Sequence, residues 1–288
     1  MVAYLATSAF GHLYRKIDCT AADIGALRKA IYSRTVSIPL GLHNLEEIIL
    51  ARPVSPQALA AQLRLVLSIS NWRALLKPCG QLLIDDLRVF ASGEEPASPF
   101  LRGTMQNAVT TGITELLESD GEEVNDDFAQ ALDEAKRERE EFAAGIRESL
   151  ALFGERFAQP AAADALEEYF RHNALEAAAA LAERAGVGEQ CKRRGLHGLL
   201  GVKSVRMWAG AMLSLARAQS LEGRSSSAED LAEALHAVTG AAAADTFVTA
   251  DARALPWLSR VAIYGLQTTD LRSFLIQAVQ PPPASADS

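Results

Sequence analysis

VAYLATSAFGHL, residues 2–13, decides how the rest of the chain is read. Val2, Ala3, Tyr4 and Leu5 have the apolar, β-forming character of a short buried strand. After Ser8, the positions Phe10, Leu13, Tyr14 and Ile17 recur at helical spacing. The stretch is therefore a strand running directly into a helix, with the junction at Ala6. Open α/β sheets gather their sites at the carboxyl edge of the strands, so an acidic residue is common at such a junction. Here the position holds alanine.

The same texture continues for some fifty residues. Thr20 or Asp23 caps a second helix reaching about Ser33, with Ile24, Leu27 and Ile31 on one face. TVSIP (35–39) reads as a second short strand closed by Pro39, and LHNLEEIIL (42–50) as a helix ended before Pro53. Strand, helices, strand, helix predicts a parallel sheet covered by helices. From Ser55 to Gln219 the pattern is helical and no strand is predicted. SPQALAAQLRLVLSI (55–69), residues 81–90 and residues 105–117 are amphipathic. Residues 125–157 form a long, charge-rich helix with Phe128, Leu132, Phe142 and Ile146 on its apolar side. SGEEPASP and ESDGEEVNDD are exposed connections.

After GRSSSAED the texture reverts. A helix from Asp230 to about Val238 leads to the strand TFVT (246–249), a short helix near Pro256, and a strand RVAIYG (260–265). Thr269 or Asp270 then begins a last helix. The two ends are alike and the centre is not. This predicts an α/β domain built from residues 1–54 and 221–279, an all-helical insertion over 55–220, and a disordered tail over 280–288.

Composition narrows the class. With 49% hydrophobic and 22% charged residues, a chain of 288 residues can bury a sizeable core. No apolar run reaches membrane-spanning length, and the N-terminus lacks the pattern of a secretion signal, so a cytoplasmic protein with no membrane role is expected. Cys19, Cys79 and Cys191 are scattered without a CxxC pair, against a disulfide framework and against zinc. A net charge of −8 argues against a surface coated with phosphate-binding residues. A local basic strip remains compatible with it: Lys192, Arg193 and Arg194, with Lys203 and Arg206. The plain alternative for that strip is a solvated helix end.

Acidic residues cluster at the ends of the αβ elements. Glu46 and Glu47 lie on the helix after the second strand; Asp230, Glu233, Asp245 and Asp251 surround TFVT. Asp230, Glu233 and His236 are three apart and share roughly one helix face. Carboxylates drawn together repel unless a cation neutralises them. Hard oxygen donors with few imidazoles and no thiolates point to Mg²⁺ or Mn²⁺, one or two ions. Each has a structural alternative: solvent face for Glu46 and Glu47, helix dipole partner for Asp230, packing residue for His236, helix cap for Asp251.

YLATSAF, SIPLGLHNLEEII, DLAEALHA and ADTFVTADARAL together resemble the PIN-domain nucleases, over about 50 residues at the start and 60 at the end. The resemblance implies a three-layer αβα fold with a parallel sheet and a metal-dependent endoribonuclease in which a Mg²⁺- or Mn²⁺-activated water attacks the phosphodiester. It matches Ala6 to the family's first catalytic Asp, Glu47 to its early Glu with Glu46 in reserve, Glu233 to its third acid, and Asp251 to the Asp of Thr-x-Asp. Thr249 supplies that motif's hydroxyl, Ser8 the small polar residue that orients the first carboxylate, and Asp230 and His236 an additional acid and imidazole. Asp245 is expected at the edge of the site. With Ala6 in place of Asp, metal binding is weakened or lost. The other positions are intact, which implies a nuclease inactivated by one Asp-to-Ala substitution; the alternative is a natural pseudo-nuclease that binds RNA or protein. Implied partners are RNA rather than DNA, a protein partner or inhibitor on the helical insertion, and a second copy of the chain. A toxin–antitoxin or phage-defence role fits that set.

Overall fold

Tyr4 and its two neighbours divide two apolar cores. β1 (Ala3–Leu5) is buried throughout. Ala3 and Leu5 join one core together with Val248 of β4 (Thr246–Thr249), while Tyr4 joins the other together with Phe247. That is the alternation of strands covered by helices on both faces. The computed structural model describes residues 1–51, 55–95, 97–157, 166–222, 226–261 and 266–279.

β1 pairs in parallel with β4, Tyr4 opposite Phe247, and β4 pairs in parallel with β5 (Gln267–Asp270). On its other side, Val2 forms a parallel bridge with Ser37, and the Ala3 amide donates to the Ser37 carbonyl at 2.9 Å. Ser37 leads into β2 (Pro39–Gly41), which pairs in parallel with β3 (Asn71–Leu76). The strands form a three-stranded sheet ordered β1-β4-β5 and a two-stranded sheet of β2 and β3, linked beside β1 by the isolated Val2–Ser37 bridge. The chain leaves β1 toward β2 and returns much later to β4 on the opposite side. The carboxyl ends of β1 and β4 therefore form a topological switch point, where a crevice opens.

Helices α1 (Thr7–Arg15), α2 (Ala21–Tyr32), α3 (Leu42–Leu50), α4 (Pro56–Ser68), α6 (Gly103–Glu118) and α13 (Leu271–Val279) supply the core of Ala3 and Leu5. The core of Tyr4 is supplied by α5 (Cys79–Ser92), α8 (Leu166–Arg184), α9 (Gly188–Arg194), α10 (Lys203–Glu222), α11 (Ala228–Ala241) and α12 (Leu255–Val261). The long helix α7 (Asp126–Phe157) joins the two. Phe128 and Leu132 lie in the first core, and Ile146 and Leu150 in the second.

Three expectations need correction. The segment 55–220 is not wholly helical, because β3 lies within it and pairs in parallel with β2. NWRALL escapes notice because Ala and Leu favour helix, and pairing with β2 overrides that weak preference. Pro39 opens β2 rather than closing a strand over 35–39, which the first position of a strand tolerates. The expected strand 260–265 is also displaced. Arg260 and Val261 end α12, residues 262–265 lie outside the described residues, and the strand is the Thr-rich QTTD that follows. The expected tail, 280–288, also lies outside the described residues. Among the described residues, no helix is long and apolar enough to cross a membrane.

Candidate active site

Because α1 starts directly after β1, Ala6 is its N-cap residue, fully buried and without a side-chain cap. Its amide donates to the Val248 carbonyl at 2.9 Å, which fixes position 6 between the ends of β1 and β4. Two residues on, the Ser8 hydroxyl donates to Glu233 Oε1 at 2.8 Å and lies 3.2 Å from Thr249 Oγ1. It also accepts the Ala250 amide at 3.2 Å. Ser8 thus orients Glu233.

His236 of α11 is buried with both ring nitrogens engaged. Nδ1 lies 2.9 Å from the Tyr4 hydroxyl, and Nε2 lies 3.0 Å from Glu47 Oε2 and 3.1 Å from Thr7 Oγ1. Burial alone would push the imidazole down. The Glu47 carboxylate, by charge and hydrogen bond and seconded by Glu233 and Glu46, holds it above its ordinary value. Burial would likewise raise Glu47, but His236 and a hydrogen bond from Thr7 bring it to about 2. Glu47 and His236 form a buried hydrogen-bonded pair in which each is shifted toward its charged form. Asn44 locks the same corner, its Nδ2 donating at 3.2 Å to the Leu5 carbonyl and to Thr7 Oγ1. Gly41 completes it, because a Cβ there would stand 2.6 Å from the Tyr4 hydroxyl.

Glu233 behaves differently. Burial drives its pKa up to about 7; the His236 charge and the hydroxyls of Ser8 and Thr249 oppose the rise, and Asp251 adds to it. Its second oxygen, Oε2, is buried with no hydrogen-bond partner. Glu47, Glu233, His236 and Asp251 all line one cavity of about 510 Å³ at the switch point, with Thr7 and Ser8. The volume is that of an ordinary small-ligand site.

The structure draws other expected residues elsewhere. Asp230 closes a capping box with Ser227 and accepts from Trp257 Nε1 at 3.3 Å. Glu46 accepts both nitrogens of Arg139 from α7 at 2.9 Å, so it ties α3 to α7 rather than standing in for Glu47. Asp245 is exposed at the amino end of β4, the opposite end from the cavity, where its carbonyl accepts from Gln267. None of Lys192, Arg193, Arg194, Lys203 and Arg206 lines the cavity. Lys192 pairs with Glu183 and Glu189, and the Arg194 guanidinium sits over Phe90. Thr7, Asn44 and Arg139 went unread in the sequence, and Tyr4 and Tyr14 were read only as apolar positions.

Mg²⁺ and Mn²⁺ require several hard oxygen donors. Glu47 is spent on His236, and Asp251 Oδ1 accepts the Arg253 amide at 2.8 Å and its Nε at 3.4 Å. Ala6 is packed in the core of Tyr4, carries no oxygen donor and is not among the residues lining the cavity. Among the described residues, no three His, Cys, Asp or Glu side chains form a metal-ligating group. The donors present do not fit a tightly held divalent cation: Glu233 Oε2 is buried with no hydrogen-bond partner, and burial lets that carboxyl keep its proton to about pH 7. No family model, no curated protein and no solved structure matches the chain.

Proposed function

We propose that the chain is a PIN-like endoribonuclease scaffold one carboxylate short, which holds RNA at the switch-point cavity without cutting it. One observation carries this reading. Residues from opposite ends of the chain meet at a single junction, the Ser8 hydroxyl on Glu233 and Thr249, with Ala6 pinned beside them by its amide. Glu47, Glu233 and Asp251 face one cavity there, at the place where open α/β sheets do chemistry. The chain's own residues have clear parts: Ser8 and Thr249 orient Glu233, while His236 holds Glu47 ionised. Ala6→Asp, combined with Mg²⁺ or Mn²⁺, should produce RNA cleavage that the unaltered chain lacks, and adding Asp251→Ala should abolish it.

A second reading rests on the Glu47–His236 pair. The buried His236, its pKa held up by Glu47, pairs with one carboxylate of the site and, when protonated, neutralises it as a cation would. That favours a binding module with no metal role. If Ala6→Asp cuts neither RNA nor DNA while the unaltered chain binds RNA, the binding module is the function.

A further inference from the structure

The cavity has two walls of different chemistry. Glu47, Glu233 and Asp251 form the acidic one; the C-terminal turn of α1 and the helix α4 add Tyr14, Arg15 and Gln62 to the same lining. Arg15 sits on the last turn of α1, and its Nε donates to the Gly11 carbonyl at 3.3 Å. This bond folds the guanidinium back along the helix, with a terminal nitrogen 3.5 Å from where a Cβ of Gly11 would stand. Four carboxylates line the same cavity, counting Glu229, yet no described carboxylate lies within ion-pair distance of Arg15. The guanidinium keeps its remaining N–H groups for an oxyanion, and its planar fork matches phosphate. Tyr14 and Gln62 are half-buried beside it, and the Gln62 amide makes no hydrogen bond to any described residue.

The geometry points to a nucleotide-recognition wall: Arg15 anchors a phosphate of single-stranded RNA, Tyr14 stacks on the adjoining base, and Gln62 meets that base's edge. This rests on the nuclease reading and names how its site holds the substrate. A cavity of about 510 Å³ has room for one splayed nucleotide, the form in which unpaired RNA is commonly read. Aromatic stacking beside a cation is the usual grip on unpaired strands, and it works in a protein of net charge −8 because the contacts are local.

Fluorescence anisotropy with an end-labelled, short single-stranded RNA tests this on the unaltered chain, where cleavage does not interfere. Arg15→Ala should weaken binding about tenfold and reduce the slope of log affinity against log salt by about 0.7, the value for one single-strand phosphate contact. Arg15→Lys should restore the slope but not the whole affinity. Tyr14→Ala should weaken binding, Tyr14→Phe should not, and the duplex of the same sequence should bind less well than the single strand. If the chain binds RNA but Arg15→Ala and Tyr14→Ala leave affinity and salt slope unchanged, this wall is wrongly assigned and the nuclease reading stands. A preference for duplex overturns the assignment equally. If the unaltered chain binds no RNA, the assignment falls; if Ala6→Asp then also fails to cleave, the functional reading falls with it.

Discussion

At the scale of single residues, the site is governed by where its protons sit. Glu47 holds the His236 pKa up, and burial beside Asp251 lets Glu233 retain its proton to about pH 7. The consequences of Glu233 and Glu47 for stability have opposite signs. Glu233 titrates near 4.5 when unfolded and near 7 when folded, so the native state keeps a proton that the unfolded chain releases. Stability therefore falls as pH rises from about 4.5 to about 7, by roughly 3 kcal/mol for this group. Glu47 contributes stability above 4.5 that is lost as pH falls toward 2. Glu233→Gln keeps the acceptor for Ser8 and should remove the loss between 4.5 and 7. Urea midpoints measured across that range would show it, and parallel profiles for variant and parent would contradict it. Ala6→Asp carries its own cost. An Asp suits an N-cap by about 1 kcal/mol, but this one would be fully buried in the core of Tyr4. The variant should melt below the parent in chelator and recover with Mn²⁺; a metal-independent melting temperature would count against the site.

At the scale of elements, two pins hold the site helices. The Glu46–Arg139 fork fixes α3 to α7, and Glu46 is completely buried in it. Arg139→Ala should cost on the order of 3 kcal/mol because it strands a buried carboxylate, and Glu46→Gln in that background should recover part of the loss. Chemical denaturation of the two variants measures this, and equal stability would contradict it. The second pin is the Tyr4 ring, lodged where a Cβ on Gly41 would meet its hydroxyl and a Cβ on Gly240 would stand 3.0 Å from its own Cβ. Gly41→Ala should displace the hydroxyl from His236 and cost about 2 kcal/mol. An imidazole NMR titration unchanged in that variant would sink this prediction. These pins also explain what the sequence concealed. Helices with a cap and one apolar face, such as α2 and α4, were legible. β3 was not, because an edge strand of Ala and Leu carries no period of its own. Arg139 was hidden for a plainer reason, since a cation on a charge-rich helix looks solvated until its buried partner is known.

At the scale of the whole molecule, the two ends of the chain build one site. Their similar texture pointed to an α/β core drawn from both ends; Ser8, Glu47, Glu233 and Asp251 were grouped only through the family resemblance, and they line one cavity. The middle was legible as helical but not in its placement. Instead of standing apart, it supplies β3 and lines both cores, with α7 running from one to the other. Distance along the chain also misled where charge was read without contacts: Asp230 and Asp245 are close to Glu233 and TFVT in sequence, yet one is held by Trp257 and the other stands at the wrong end of its strand. The central claim is that this assembled site lacks one ligand, at position 6. Calorimetric titration of Mn²⁺ into the parent and Ala6→Asp measures it directly. We expect the variant to bind at least about tenfold more tightly, a gain of roughly 1.4 kcal/mol for one added carboxylate ligand. Equal affinities, or no binding by either, would contradict the account.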